Sequence, residues 1–125
     1  MNRQLCLDYL ERLLKTLLVH LMITNYTVSI KYCKHLDCFM DIDVDHEYLE
    51  AHIRFGKLIV KSFTRGDYAF VKATLLHELT HILTSRLTEM KGMSKRKRTE
   101  TEESVNEHIS KIILQSLWTS NLKCV

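Results

Sequence analysis

The sequence predicts an α+β domain: an N-terminal helix, a small, mostly antiparallel sheet of three to four strands, and two further helices. The hydrophobic period carries this reading. It is helical over residues 3–23, switches to two between Tyr26 and Phe63, and becomes helical again from about Asp67. The 125 residues show no internal repeat and no compositional break, so they read as one domain spanning 1–125. Strands grouped in the middle and helices at both ends fit α+β better than an alternating α/β order.

The first helix is marked by Leu10, Leu13, Leu14, Leu17, Leu18 and Leu21 at helical spacing, with Asp8, Glu11, Arg12 and Lys15 largely off that stripe. Asn25 marks a turn. In the strand region Tyr26, Val28, Ile30 and Tyr32 alternate with Thr27, Ser29 and Lys31. Phe39 to Val44 follows, with Asp41, Asp43 and Asp45 facing one way, and Ala51, Ile53 and Phe55 alternate with His52 and Arg54. After Gly56, Leu58 to Phe63 is the fourth candidate strand. The next helix has Asp67 as N-cap and Phe70, Ala73, Leu76, Thr80, Leu83 and Leu87 on its inner face. A polar, basic loop is expected from Thr88 to Thr99, and a last helix from about Glu100 to Trp118.

Composition narrows the class. Apolar residues make up 46%, charged residues 26%, Gly is scarce and Pro absent, which excludes a disordered or low-complexity chain. A net charge of +3 implies no class of partner by itself. Arg3, Asp8, Glu11, Arg12 and Lys15 interrupt the N-terminal apolar stretch, so no secretory signal is expected. The longest apolar run, Leu17 to Ile23 with His20 inside it, is far short of the roughly 20 residues a bilayer requires. The expectation is a cytoplasmic monomer without a membrane partner, whose Cys6, Cys33, Cys38 and Cys124 stay reduced.

Chemistry concentrates in His77-Glu78-Leu79-Thr80-His81, an HExxH sequence in mid-helix. Histidines four apart share a helical face and can both reach one Zn²⁺. Glu78, rotated by about 100° from His77, stands beside the metal and is suited to take a proton from an attacking water. A catalytic zinc needs a third protein ligand. Thr84 and Leu87 stand where an HExxHxxGxxH arrangement has its Gly and third His, so the last helix must supply the ligand. There Val105, Ile109, Ile112, Ile113 and Ser116 form one side, and Glu102 projects to its centre. A carboxylate on a buried face is costly unless paired or bound to metal, so Glu102 is the expected third ligand. Glu103, about 100° away towards solvent, is the fallback. Asn106, one turn beyond Glu102, could accept the free ring N–H of His77 or His81.

HExxH on one helix with a Glu on the next resembles the gluzincin branch of zinc metallopeptidases. More closely, the chain looks like minimal phage-encoded metallopeptidases, which pair a "DxEYxxAxIxF" strand with an "LLHELxH" helix and a helix beginning "EExVN". Here these segments are Asp45 to Phe55, Leu75 to His81 and Glu102 to Asn106, and the likeness covers about residues 40–115. The resemblance implies a minimal zincin-like fold, zinc on His77, His81 and Glu102, and Glu78 as the catalytic general base. It also implies a peptide or protein substrate added to a sheet edge. Two departures stand out. Asn106 occupies a position where an Asp often orients a ligand His, and the oxyanion-stabilising Tyr or His has no clear counterpart, His108 and Tyr48 being the candidates.

Two weaker signals remain. Cys33, His35 and Cys38 form C-x-H-x-x-C, which suggests a structural zinc but lacks a fourth ligand and reads better as a strand-end loop with free thiols. Lys91, Lys95, Arg96, Lys97 and Arg98 make the 91–98 loop basic, without the interleaved aromatics of single-strand binders. Two alternative functions stand beside the peptidase: a non-hydrolytic zinc-containing binding or regulatory module, and a nucleic-acid-associated protein with structural zinc whose contact is the 91–98 loop. Glu78 favours the peptidase, since a purely structural site has no use for it.

Overall fold

The computed structural model describes residues 2–90 and 95–119; the side chains of 86–90, 95, 97, 98, 101 and 113–119 lie outside the description. The architecture is α+β: helix α1 (Asn2–His20), strands β1 (Thr27–Tyr32), β2 (Met40–Asp45) and β3 (Glu50–Phe55), then helices α2 (Lys57–Thr64), α3 (Tyr68–Met90) and α4 (Lys95–Thr119). No helix among the described residues is long and apolar enough to cross a membrane.

α1 buries the expected stripe, with Cys6, Tyr9, Leu10, Leu13, Leu14 and Leu17 in the core. It ends in a Schellman turn: Ile23 N–H donates to Leu18 C=O (2.9 Å) and Met22 N–H to Val19 C=O (3.1 Å). The left-handed residue that this turn requires is Met22 at φ +58°, where glycine is usual. Burial of Ile23 and its bond back to Leu18 hold it there.

The sheet has the order β1-β3-β2. β3 lies in the middle, antiparallel to β2 but parallel to β1, so the sheet is mixed rather than mostly antiparallel. The alternation of β3 is complete: Ala51, Ile53 and Phe55 are fully buried, while Glu50, His52 and Arg54 face water. One face therefore seals the core against α1 and α3, and the other stays open and polar. On the open face Arg54 forks onto Asp41, and His52 Nδ1 meets Ser29 Oγ at 2.7 Å.

Leu58 to Phe63 is not a fourth strand but the body of α2. The run does not alternate: Ile59, Ser62 and Phe63 share one helical side, with Ile59 and Ser62 buried and Phe63 stacked on Tyr9. Gly56 opens the helix where the chain passes close to the β1–β2 loop. A Cβ there would sit 3.2 Å from Leu36 Cβ and 3.3 Å from the Cys38 carbonyl oxygen. Gly66 closes α2 at φ +82°, and Asp67 stands directly before α3, its carbonyl accepting from Val71 N–H.

α3 is rotated from its expected setting. Its core side is Val71, Leu75, Leu76, Leu79 and Ile82, while Phe70 and Leu83 are partly exposed; the Leu87 side chain lies outside the described residues. This helix serves three surfaces (core, α4 and the cleft described below), so apolar residues occur around much of its circumference and its period is weak. α3 continues to Met90 and α4 begins at Lys95, so residues 88–90 and 95–99 of the expected loop are helical, and 91–94 lie outside the described residues.

α4 packs on α3 through a polar seam. Asn106 and Ser110 are buried there and Ile109 is half-buried, whereas Val105 and Ile112, two of the expected inward positions, are exposed. The side chains of Ile113, Ser116 and Trp118 lie outside the described residues, as does Cys124. The seam is set by α3: Thr80 Oγ1 meets Ser110 Oγ at 3.4 Å, and Thr84 Oγ1 donates to Asn106 Oδ1 at 2.5 Å. Buried hydroxyls and amides need such partners, and the two helices supply them to each other.

Candidate metal centre

α3 and α4 bring three ligand-type side chains together. His77 and His81 project one turn apart, their rings 5.3 Å between centroids and nearly perpendicular. The carboxylate between them belongs to Glu103: Oε1 is 3.0 Å from His81 Nε2 and Oε2 is 3.5 Å from His77 Nε2. One ligand atom from each residue lies within 4.8 Å of the others. Glu103 is 56% exposed yet reaches inward at its tip.

Glu102 occupies a different place. It is buried to 12% exposure, as expected, but its Oε1 lies 3.4 Å from His81 Nδ1, the ring nitrogen turned away from Glu103. A carboxylate at Nδ1 can accept that nitrogen's hydrogen, which would leave the Nε2 lone pair for a cation held between it and Glu103. The two glutamates thus divide along the helix: Glu103 lies at the Nε2 atoms of both histidines, and Glu102 meets the opposite ring nitrogen of His81. Among the described residues Asn106 makes no hydrogen bond to either histidine; its Oδ1 takes the Thr84 hydroxyl, and its buried Nδ2 has no hydrogen-bond partner.

The cluster opens onto a cleft of about 440 Å³ between α3, α4 and edge strand β2. Asp41, Ile42 and Val44 line its strand side; Glu78, His81, Ser85, Glu102 and Glu103 line its helical side. Glu78 faces this space, and its carboxyl is raised from 4.5 to about 8, first by burial and then by the charges of Glu103 and Asp41. Tyr48 and His108 are both exposed, and neither lines the cleft.

The shift has a consequence for stability. A carboxyl whose folded pKa exceeds its unfolded value favours folding below the unfolded pKa and loses that contribution as pH rises towards the folded one. The metal-free protein is therefore expected to lose up to a few kcal/mol of stability from this group between pH 4.5 and 8. Denaturant titrations of parent and Glu78→Gln across that window check it, and the parent's excess slope should vanish in the variant. Equal slopes would refute the assignment.

Elsewhere, among the described residues, Cys33, His35 and Cys38 do not form a ligand group, and Cys6, Cys33 and Cys38 are free thiols. Burial pushes the Cys6 thiol up to about 11. Residues 95–98 of the basic run belong to the first turn of α4, where Arg96 pairs with Glu100 at 3.3 Å. The other side chains of that run lie outside the described residues.

Sequence reasoning missed Ser85 on the cleft wall and the partition between Glu102 and Glu103. No local pattern signals either, because Ser85 depends on how α3 is turned and the two glutamates on how α4 is turned against it. Comparison of the chain with known protein families, curated proteins and solved structures finds no match.

Proposed function

We propose that the chain is a zinc-dependent metallopeptidase of the gluzincin type, with His77, His81 and Glu103 as metal ligands and Glu78 as general base. The observation that carries this reading is the convergence of both histidine Nε2 atoms on the Glu103 carboxylate, at the wall of a cleft that Glu78 also faces. Two imidazoles and one carboxylate are a donor set found in catalytic zinc sites, which leave the fourth position open. When bound, zinc supplies a Lewis acid that polarises a carbonyl and lowers the pKa of water to about 7.

The chain's own residues do the rest. Glu102 holds His81 through Nδ1, so the ring presents Nε2 to the cluster. Glu78 accepts a proton from the attacking water and returns it to the departing amine nitrogen. β2, at the sheet edge along the cleft, offers the backbone groups against which an extended peptide lies.

The test combines metal content with turnover. Protein purified with zinc should hold one ion per chain and cleave an unstructured polypeptide such as casein. A chelator should abolish cleavage, and added zinc should restore it. Metal-replete protein without zinc would overturn the proposal, and zinc without any cleavage would favour the non-hydrolytic regulatory module.

A further inference from the structure

Three distant segments of the chain meet at one histidine beside the cleft. His46 opens the turn that joins β2 to β3. Its Nδ1 is 2.7 Å from the Tyr26 hydroxyl, just before β1, and its Nε2 is 2.7 Å from Ser85 Oγ on α3. The Tyr26 and His46 rings also meet edge-on at 5.9 Å. Ser85 lies one helical turn past His81 and lines the cleft with it.

A ring held at both nitrogens cannot rotate without giving up a hydrogen bond. Each bond is short and involves a hydroxyl that can donate or accept. Apolar packing of β2 against α3 is non-directional and tolerates sliding. The bond from His46 to Ser85 is directional and ties the end of the strand to the helix bearing His77 and His81. The separation of strand and helix decides whether a segment laid along β2 reaches the ligand cluster.

We infer that His46 is a positioning residue for peptide binding: through Nε2 and Ser85 it holds the end of edge strand β2 at a fixed distance from the metal-ligand helix. This rests on reading the cleft as a zinc peptidase site. The bond to Tyr26 anchors the turn to the sheet, so a merely structural role for His46 would reside at Nδ1. Amide substitutions separate the two. Asn places its polar atoms near Nδ1, and Gln, one bond longer, places them near Nε2.

The experiment uses the zinc-loaded parent with His46→Gln, His46→Asn, His46→Ala and Ser85→Ala. Zinc content is measured alongside the affinities of two hydroxamates. Acetohydroxamate engages the metal alone, whereas Pro-Leu-Gly-hydroxamate also extends along the strand. Zinc content and acetohydroxamate affinity should be the same in all five proteins. Affinity for the peptidyl hydroxamate should fall by up to about tenfold in His46→Asn, His46→Ala and Ser85→Ala, the worth of one hydrogen bond, and stay parental in His46→Gln.

Rescue by Asn instead of Gln would overturn the inference, and so would equal weakening of both hydroxamates. Loss of zinc from the His46 variants would place the residue's role in the fold and overturn it as well. A parent that binds acetohydroxamate but gains nothing from the peptide would defeat the inference while leaving the metal site standing. A parent without zinc would defeat both.

Discussion

Glu78→Gln is expected to retain zinc and to cleave peptides roughly 10²–10⁴-fold more slowly than the parent, the usual worth of a positioned general base. The amide keeps the shape of the carboxyl but cannot take up a proton. What distinguishes Glu78 from the other carboxylates of the cleft is its setting. It lies beside the Glu103 and Asp41 charges, and in the metal-free protein burial, followed by those charges, pushes its carboxyl up to about 8. Zinc content and single-turnover cleavage measured on one preparation separate the two roles. Unchanged turnover in a zinc-loaded variant would remove Glu78 from the mechanism.

Glu103→Ala should lose zinc outright, whereas Glu102→Ala should weaken it by roughly 10–100-fold, the cost of removing a partner that orients a ligand. The difference follows from which ring nitrogen each carboxylate meets. Glu103 lies at the Nε2 atoms of both histidines, and Glu102 at Nδ1 of His81. Zinc titration against a competing chelator reads both affinities. The opposite order, with Glu102→Ala the more damaging, would make Glu102 the ligand, as the sequence alone expects.

The parts of this site that are legible in the sequence are the local ones. His77 and His81 come together because residues four apart on a helix must, whatever surrounds them. The choice between Glu102 and Glu103 is not local. It depends on the rotation of α4, which the Thr80–Ser110 and Thr84–Asn106 contacts set, while the apolar positions Val105 and Ile112 suggest a different face. The inward turn of Glu102 is foreseen correctly, but its partner is a ring nitrogen.

The fold divides similarly. Alternation marks β3, and a leucine stripe marks α1, because each buries a single face. α2 is mistaken for a strand because Leu58, Ile59 and Val60 are strand formers in a segment too short for a clear period. The parallel pairing of β1 with β3 leaves no local trace, since β3 enters between two strands that precede it in the chain.

The seam between α3 and α4 gives the centre a thermodynamic character of its own. Among the described residues α4 is fastened to α3 by hydroxyls and an amide, bonds that contribute about 1 kcal/mol each. The ligand cluster straddles that joint, with two residues on one helix and one on the other. A cation bound there favours the closed joint over an open one, and by mass action occupancy and helix docking rise and fall together. The ion would then act as a rivet as well as a reagent, and the helix pair would tighten as free metal rises.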